Sequence, residues 1–444
     1  MPDIDVDVVV AGAGVAGLAA AAALSEFGWS TLIVEPGQHA ERRLAGELVH
    51  PPGVAGLIEL GLCGREGLSG AVPIRGFRVF RDGNQKPIEL PYGDGHGTTP
   101  TAFAREHGAI RASLDAACAR LPHVTVWRHA RVVGLDLSHC TTAQVKIAHR
   151  GSVKALCCRM VIGADGAASA VRTLGGIAQK RRGLSKITGY LVDAQALPAP
   201  GFGHVFMTKA PPVLAYEIGG GLARVLFDHA IHSNEPPSDH CRNVIATLPD
   251  RLREALALSI GTQRGLGFVS ADVFVAAVGK SPLVLVGDAG GSCHPLTASG
   301  ISVAIGDALH LRQALRDRDR NIGPAIALYA KRRRAPQRVR RLLASALHET
   351  CSRQDAFSQL LCDCLIDYWE RDARGREASM ALLAMTDTRA VAILREIASI
   401  LLLGMRRAAQ QPHPLRDWLS ESTRLTVALS ALLLRHIPTV VKAR

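Results

Sequence analysis

The first apolar run, Val6 to Val10, is followed by small residues that include Gly12, Gly14 and Gly17. An alanine-rich stretch then ends at Phe27 before Gly28, and a second apolar run from Thr31 to Val34 delivers Glu35. Short continuous apolar runs flanked by glycine read as strands buried on both faces. The stretch between them reads as a helix, with Gly28 a favourable C-cap. Further on, Leu114, Ala117, Cys118 and Leu121 share one helical face, residues 124–149 alternate like a β-meander, and a buried run returns over 160–172. Alternation near "IRGFRVFRDG" and again between about 183 and 270 predicts an antiparallel sheet in a second layer, with the "GGG" at 219–221 as a hairpin turn. From about residue 300 onward the pattern is helical. The periodicities predict an α/β fold. Residues 1–70, 100–182 and 271–330 form a discontinuous Rossmann-type nucleotide domain, 71–99 and 183–270 an inserted β domain, and 331–444 a helical region.

Composition narrows the class. The chain has 444 residues, 48% apolar and 20% charged, which describes a folded protein with room for more than one domain. A formal net charge of +13 favours an anionic partner. Nucleic acid is not expected, because no recognition motif interleaves aromatics with Lys or Arg. The ten cysteines show no paired CxxC spacing and read as free thiols of a reducing cytosol. The N-terminus carries acids where an export signal would carry bases, and no apolar stretch is long enough to span a bilayer, so a cytoplasmic location is expected.

The spacing around the first glycines carries chemistry. Gly12, Gly14 and Gly17 form GxGxxG between a strand and a helix, with Val15 and Ala16 opening the helix and Glu35 at the end of the next strand. In such a unit the first glycine permits the tight turn, the second lets backbone N–H groups approach a pyrophosphate, and the third allows close helix packing. The terminal acid accepts ribose hydroxyls. No second GxGxxG follows a strand, so one permanent dinucleotide site is predicted.

Two later elements complete an ordered set: "GADGAASAVR" at 163–172 and "GDAGGSCHPLTASG" at 287–300. The three together resemble the signature of the group A, FAD-dependent aromatic-hydroxylase-type monooxygenases, whose FAD-binding domain is of the GR2/PHBH-like type. The resemblance implies FAD as cofactor, with NADPH or NADH as transient electron donor or a separate reductase in its place. It implies Asp165 and Gly166 near the passage between flavin and nicotinamide, and Asp288 on the ribityl chain. Pro295, Gly300 and Ile301 would lie at a helix N-terminus facing the flavin ring. "RLAGELVHPPGVAGLIELGL" and the His-Pro-Leu-Thr core further resemble the squalene epoxidase branch, which implies Arg43 and Arg111 as flavin-contacting arginines. That branch carries a tyrosine where this chain has Phe77 and a glutamine where it has His50, departures that place squalene itself in doubt.

The resemblance therefore implies a monooxygenase that passes one oxygen atom of O₂, through a flavin C4a-hydroperoxide, to a hydrophobic alkene or aromatic compound. His50 is a candidate base or a packing histidine, and Phe77 a candidate pocket wall. His294 has no ligand partner at sequence spacing, and no metal is expected. The alternatives are a flavin-dependent prenyl or polyene reductase and a non-enzymatic lipid carrier of related fold. A halogenase is disfavoured, since Trp29, Trp127, Trp369 and Trp418 are isolated and form no WxWxIP motif. Seven basic residues lie between 331 and 341, and apolar segments follow at 397–405 and 425–441. These read as a solvated helix face followed by helices that lie on a membrane surface, with an oligomer interface as competitor.

Overall fold

The computed structural model describes residues 3–37, 44–81, 86–93, 101–207, 211–352 and 356–410. Arg43 and the apolar segment 425–441 lie outside them. The buried run at the start becomes the strand Val6–Ala11, which pairs in parallel with Thr31–Glu35 on one side and Ser152–Gly163 on the other. Gly279–Lys280, Leu283–Leu285, Ser152–Gly163, Val6–Ala11, Thr31–Glu35 and Val124–Arg128 follow one another across this sheet. Ala130–Asp136 and Ala143–His149 extend it as antiparallel hairpins. Val8, Val9 and Val10 are wholly buried because helices cover one face and the hairpins the other, which is why their run is continuous rather than alternating.

The helix Val15–Ser25 packs against Gly300–Arg316, and its alanines let the two axes approach closely. The helix Pro51–Glu59 crosses the same partner through glycine: a Cβ on Gly53 would sit 2.6 Å from Ser302 Oγ and one on Gly56 2.6 Å from Ile305 Cγ2.

A second sheet of seven strands runs Leu266–Val275, Gln179–Asp193, Leu222–Ala230, Val213–Gly219, Gly203–Met207, Gly76–Arg81, Ile88–Pro91. It departs from the expected antiparallel pattern at one place, where Gly203–Met207 and Gly76–Arg81 run parallel. The helices Pro237–Ile245 and Asp250–Thr262 lie within the stretch expected to be all strand. Leu252, Leu256 and Ile260 are spaced four apart and pack onto the sheet, so their burial follows helical rather than alternating order. A third sheet, Leu48–Val49, Ala102–Ala104 and Val72–Ile74, lies at the junction. The C-terminal helices Ile322–Cys351, Ala356–Arg371, Ala373–Leu383 and Ala390–Gln410 form a bundle against the hairpin of Gly76–Arg81 and Ile88–Pro91.

Candidate functional site

At one end of the site, the parallel strands stop at the same edge of the sheet, where an open α/β sheet presents its ligand crevice. Gly12 takes φ +105°, and a Cβ there would lie 2.7 Å from the Ala164 carbonyl oxygen. Gly17 is tighter still, its would-be Cβ 1.9 Å from the Gly12 oxygen. Gly14 differs: nothing lies within 4 Å of the position its Cβ would take, and it starts the helix with no side chain capping the first N–H groups. Open space in front of uncapped helix N–H groups, which here belong to Val15, Ala16 and Gly17, is a cradle for an anion. The buried Glu35 carboxylate accepts the Ala13 N–H at 2.7 Å and the Gly37 N–H at 3.1 Å, which leaves it further lone pairs for hydroxyl donors.

Asp165 follows the neighbouring strand and accepts the Val171 N–H on Oδ2 at 3.0 Å, while Oδ1 is buried with no hydrogen-bond partner among the described residues. The turn at Gly166 has φ +82° and open space before it. Gly287 sits over Ala16, and Asp288 is exposed at the tip of the turn Gly287–Gly290. An uncapped helix end, two carboxylates with acceptor capacity and an orphaned buried oxygen fit a dinucleotide with its pyrophosphate and ribose hydroxyls.

Groups distant in sequence hold these turns. Arg172, wholly buried, donates to the Ala289 and Ala167 carbonyls at 2.8 Å each and so locks the 165–169 loop to the 287–290 turn. Asp307 accepts the Gly287 N–H at 2.8 Å. Arg333 closes the unit, with Nε bonded to both Asp307 oxygens (2.8 and 2.9 Å), Nη1 to the Gly290 carbonyl (2.7 Å) and Nη2 to the Gly287 carbonyl (3.0 Å). None of these three was singled out from sequence. Arg333 belongs to the basic run read as a solvated face, yet it and Arg340 are buried, while Lys331, Arg334 and Arg338 face outward.

At the other end, Pro295–Thr297 makes one tight turn, and after Ser299 the helix Gly300–Arg316 begins without a side-chain cap. Ile301 packs against Gly46. His107 bonds the Gly46 carbonyl at 2.8 Å, and Arg111, one turn further on the same helix, shares that face. His50 is wholly buried between these segments. Its Nε2 lies 2.9 Å from the Thr297 carbonyl and its Nδ1 2.7 Å from the Tyr92 hydroxyl.

A carbonyl only accepts, so Nε2 carries the proton and Nδ1 accepts from Tyr92. Burial lowers the His50 pKa to about 4 and keeps the ring neutral. Both nitrogens are thus engaged, and His50 holds the Thr297 turn to Tyr92. Phe77 lies over Gly203, where a Cβ would be 2.4 Å away, and meets Tyr92 edge-on with centroids 6.5 Å apart. Tyr92 was missed in the sequence, where it stands alone after a short strand.

A buried ion pair anchors this wall: Arg224 donates to Glu47 through Nε at 3.0 Å and Nη2 at 2.8 Å, joining the second sheet to the segment that leads to His50. Beneath the turn, His294 Nε2 faces Ser185 Oγ at 2.9 Å and Asp228 Oδ2 at 3.1 Å, and its ring stacks on His348 with centroids 4.2 Å apart. The fold thus supplies His294 with partners that its sequence neighbourhood does not.

The squalene epoxidase family profile matches residues 157–418, and an FAD dependent oxidoreductase profile matches 7–178. Squalene epoxidase erg1 of Aspergillus fumigatus is 31% identical over 329 residues, 70% of this chain and 66% of that protein, just under two thirds of its length. Squalene monooxygenase of Mus musculus is 28% identical over 412 residues, 89% of this chain and 71% of that one. Among solved structures, p-nitrophenol 4-monooxygenase PnpA of Pseudomonas putida DLL-E4 superposes with a TM-score of 0.69 at 18% identity, over 87% of this chain and 98% of that one, a likeness of fold. The chain belongs to the squalene epoxidase family and is an FAD-dependent monooxygenase.

Proposed function

We propose that this monooxygenase inserts one oxygen atom into a hydrophobic alkene or alkyl-aromatic compound held against the wall formed by His50, Tyr92 and Phe77. The observation that carries this reading is the position of that wall. On one side it is bonded to the Thr297 turn, and on the other it is continuous with an apolar cluster of Val79, Leu90, Leu365 and Trp369. Bound FAD, reduced by NADPH, NADH or a reductase, supplies the oxygen-activating chemistry.

The residues divide the remaining work. The Gly12 to Gly17 turn takes the pyrophosphate on helix N–H groups, and Glu35 takes the adenosine ribose. Asp288 would accept ribityl hydroxyls, Asp165 and Gly166 would border the passage between flavin and nicotinamide, and the uncapped helix N-terminus at Gly300 and Ile301 would favour negative charge on the flavin ring. Arg111 adds a cation beside it. His50, neutral and doubly bonded, fixes the Thr297 turn, while Phe77 and the cluster behind it exclude water.

The test is product mass from holoenzyme given NADPH or NADH with lipophilic alkenes and phenols. A gain of one oxygen is expected; a gain of two hydrogens would replace this reading with the reductase.

The C-terminal helices fit a membrane surface that delivers such substrates. Val391, Leu394 and Leu402 are 64, 47 and 57% exposed along one side of Ala390–Gln410, and among the described residues no helix is long and apolar enough to cross a bilayer. Removing residues from about 420 onward is expected to shift the protein from vesicle pellets to the supernatant on sedimentation. Unchanged pelleting would exclude that segment as the anchor.

A further inference from the structure

The C-terminal bundle contains a cavity of about 110 Å³ lined by Leu347, Leu365, Leu382, Ile397, Trp369 and one acid, Glu396. It lies behind the wall described above, since Leu365 and Trp369 belong to the cluster that reaches Phe77 and Tyr92. An apolar cavity of about 150 Å³ holds a benzene molecule, so this smaller one accommodates a short hydrocarbon unit of about four carbons.

A carboxyl in such a place is costly without partners. Glu396 is 7% exposed, and its hydrogen bonds converge on one oxygen: Tyr368 O–H reaches Oε2 at 3.1 Å and Ser379 Oγ at 3.2 Å, with Trp369 Nε1 donating to Ser379 at 2.9 Å. Neither of these bonds reaches Oε1. Burial raises the Glu396 pKa, with the hydroxyls of Tyr368 and Ser379 opposing it. A hydroxyl fits either form, because it accepts from the acid and donates to the carboxylate.

We propose that this cavity is a specificity subsite for the far end of the substrate: a hydrocarbon unit bearing a hydroxyl group that bonds Glu396 Oε1. The preferred substrates are then long apolar alcohols rather than pure hydrocarbons. The assignment of this ligand as substrate rests on the monooxygenase reading above; its binding does not.

The probes are farnesol and farnesene, the same chain with and without a hydroxyl, titrated into FAD holoenzyme by quenching of Trp369 fluorescence, with Trp369→Phe as the control. Farnesol is expected to bind about tenfold tighter than farnesene, the worth of one well-made hydrogen bond. Glu396→Gln should keep most of that preference and Glu396→Leu should erase it. Equal affinities in the unmodified enzyme, or a preference that survives Glu396→Leu, overturns the proposal. If Glu396→Leu fails to fold, Ala346→Phe, which fills the cavity from the long helix, must abolish farnesol binding, and retained binding is equally fatal. Farnesol that binds with the expected preference yet gains no oxygen supports the subsite and counts against the monooxygenase reading alone.

Discussion

Arg333→Met is expected to yield an enzyme that unfolds at markedly lower temperature and purifies with little FAD. The substitution removes a guanidinium from a pair whose side chains are 4 and 3% exposed and leaves Asp307 buried without its counter-charge. Breaking a buried pair from one side costs about 3–5 kcal/mol. That is a large share of the roughly 5–15 kcal/mol by which folded proteins are stable. The carbonyls of Gly287 and Gly290 lose their donors at the same time, so the turn bearing Asp288 loses its fixed shape. The double variant Asp307→Leu with Arg333→Met leaves no stranded charge and should recover part of the melting temperature but not the FAD affinity, since the Gly287 and Gly290 carbonyls still lack their donor and the Gly287 N–H now loses its acceptor as well. Thermal melts and visible flavin absorbance of the purified proteins check both. Wild-type melting with full FAD content in the single variant would remove Arg333 from the account.

That clamp shows where sequence stops being legible. The strand, glycine turn, helix and terminal acid from Val6 to Glu35 could be placed because each task is set by neighbours a few residues away. The role of Arg333 is set by a different helix. Successive residues on a helix point about 100° apart, so Arg334 can face outward while Arg333 faces in, and a run of identical residues hides the difference. His50 meets Tyr92 across 42 positions and Glu47 meets Arg224 across 177, distances over which no local pattern connects them. The departure at Phe77 was visible, but the Tyr92 hydroxyl that stands beside it, just after the next strand, was not.

The glycines of the first turn give the second large expectation, because two of them fail differently when given a methyl group. Gly12→Ala forces an L-residue to φ +105° and sets its Cβ 2.7 Å from Ala164 O, 3.0 Å from Ala164 C and 3.2 Å from Asp165 Cα, all backbone atoms that move only if the strand end moves. Strain of about 1–3 kcal/mol adds to overpacking of similar size, so the apoprotein should lose about 2–6 kcal/mol and FAD affinity should fall with it. Gly14→Ala meets nothing within 4 Å and keeps an ordinary backbone at φ −76°, so the apoprotein should melt as the wild type does. Its methyl group instead enters the space where a pyrophosphate must approach the helix N–H groups, and FAD affinity should drop by about tenfold or more, the equivalent of losing one good contact. Melting curves of both apoproteins, paired with FAD titrations, separate the turn's structural task from its binding task. Gly14→Ala protein that binds FAD like the wild type would mean that the cofactor does not cross this turn, whatever Gly12→Ala does.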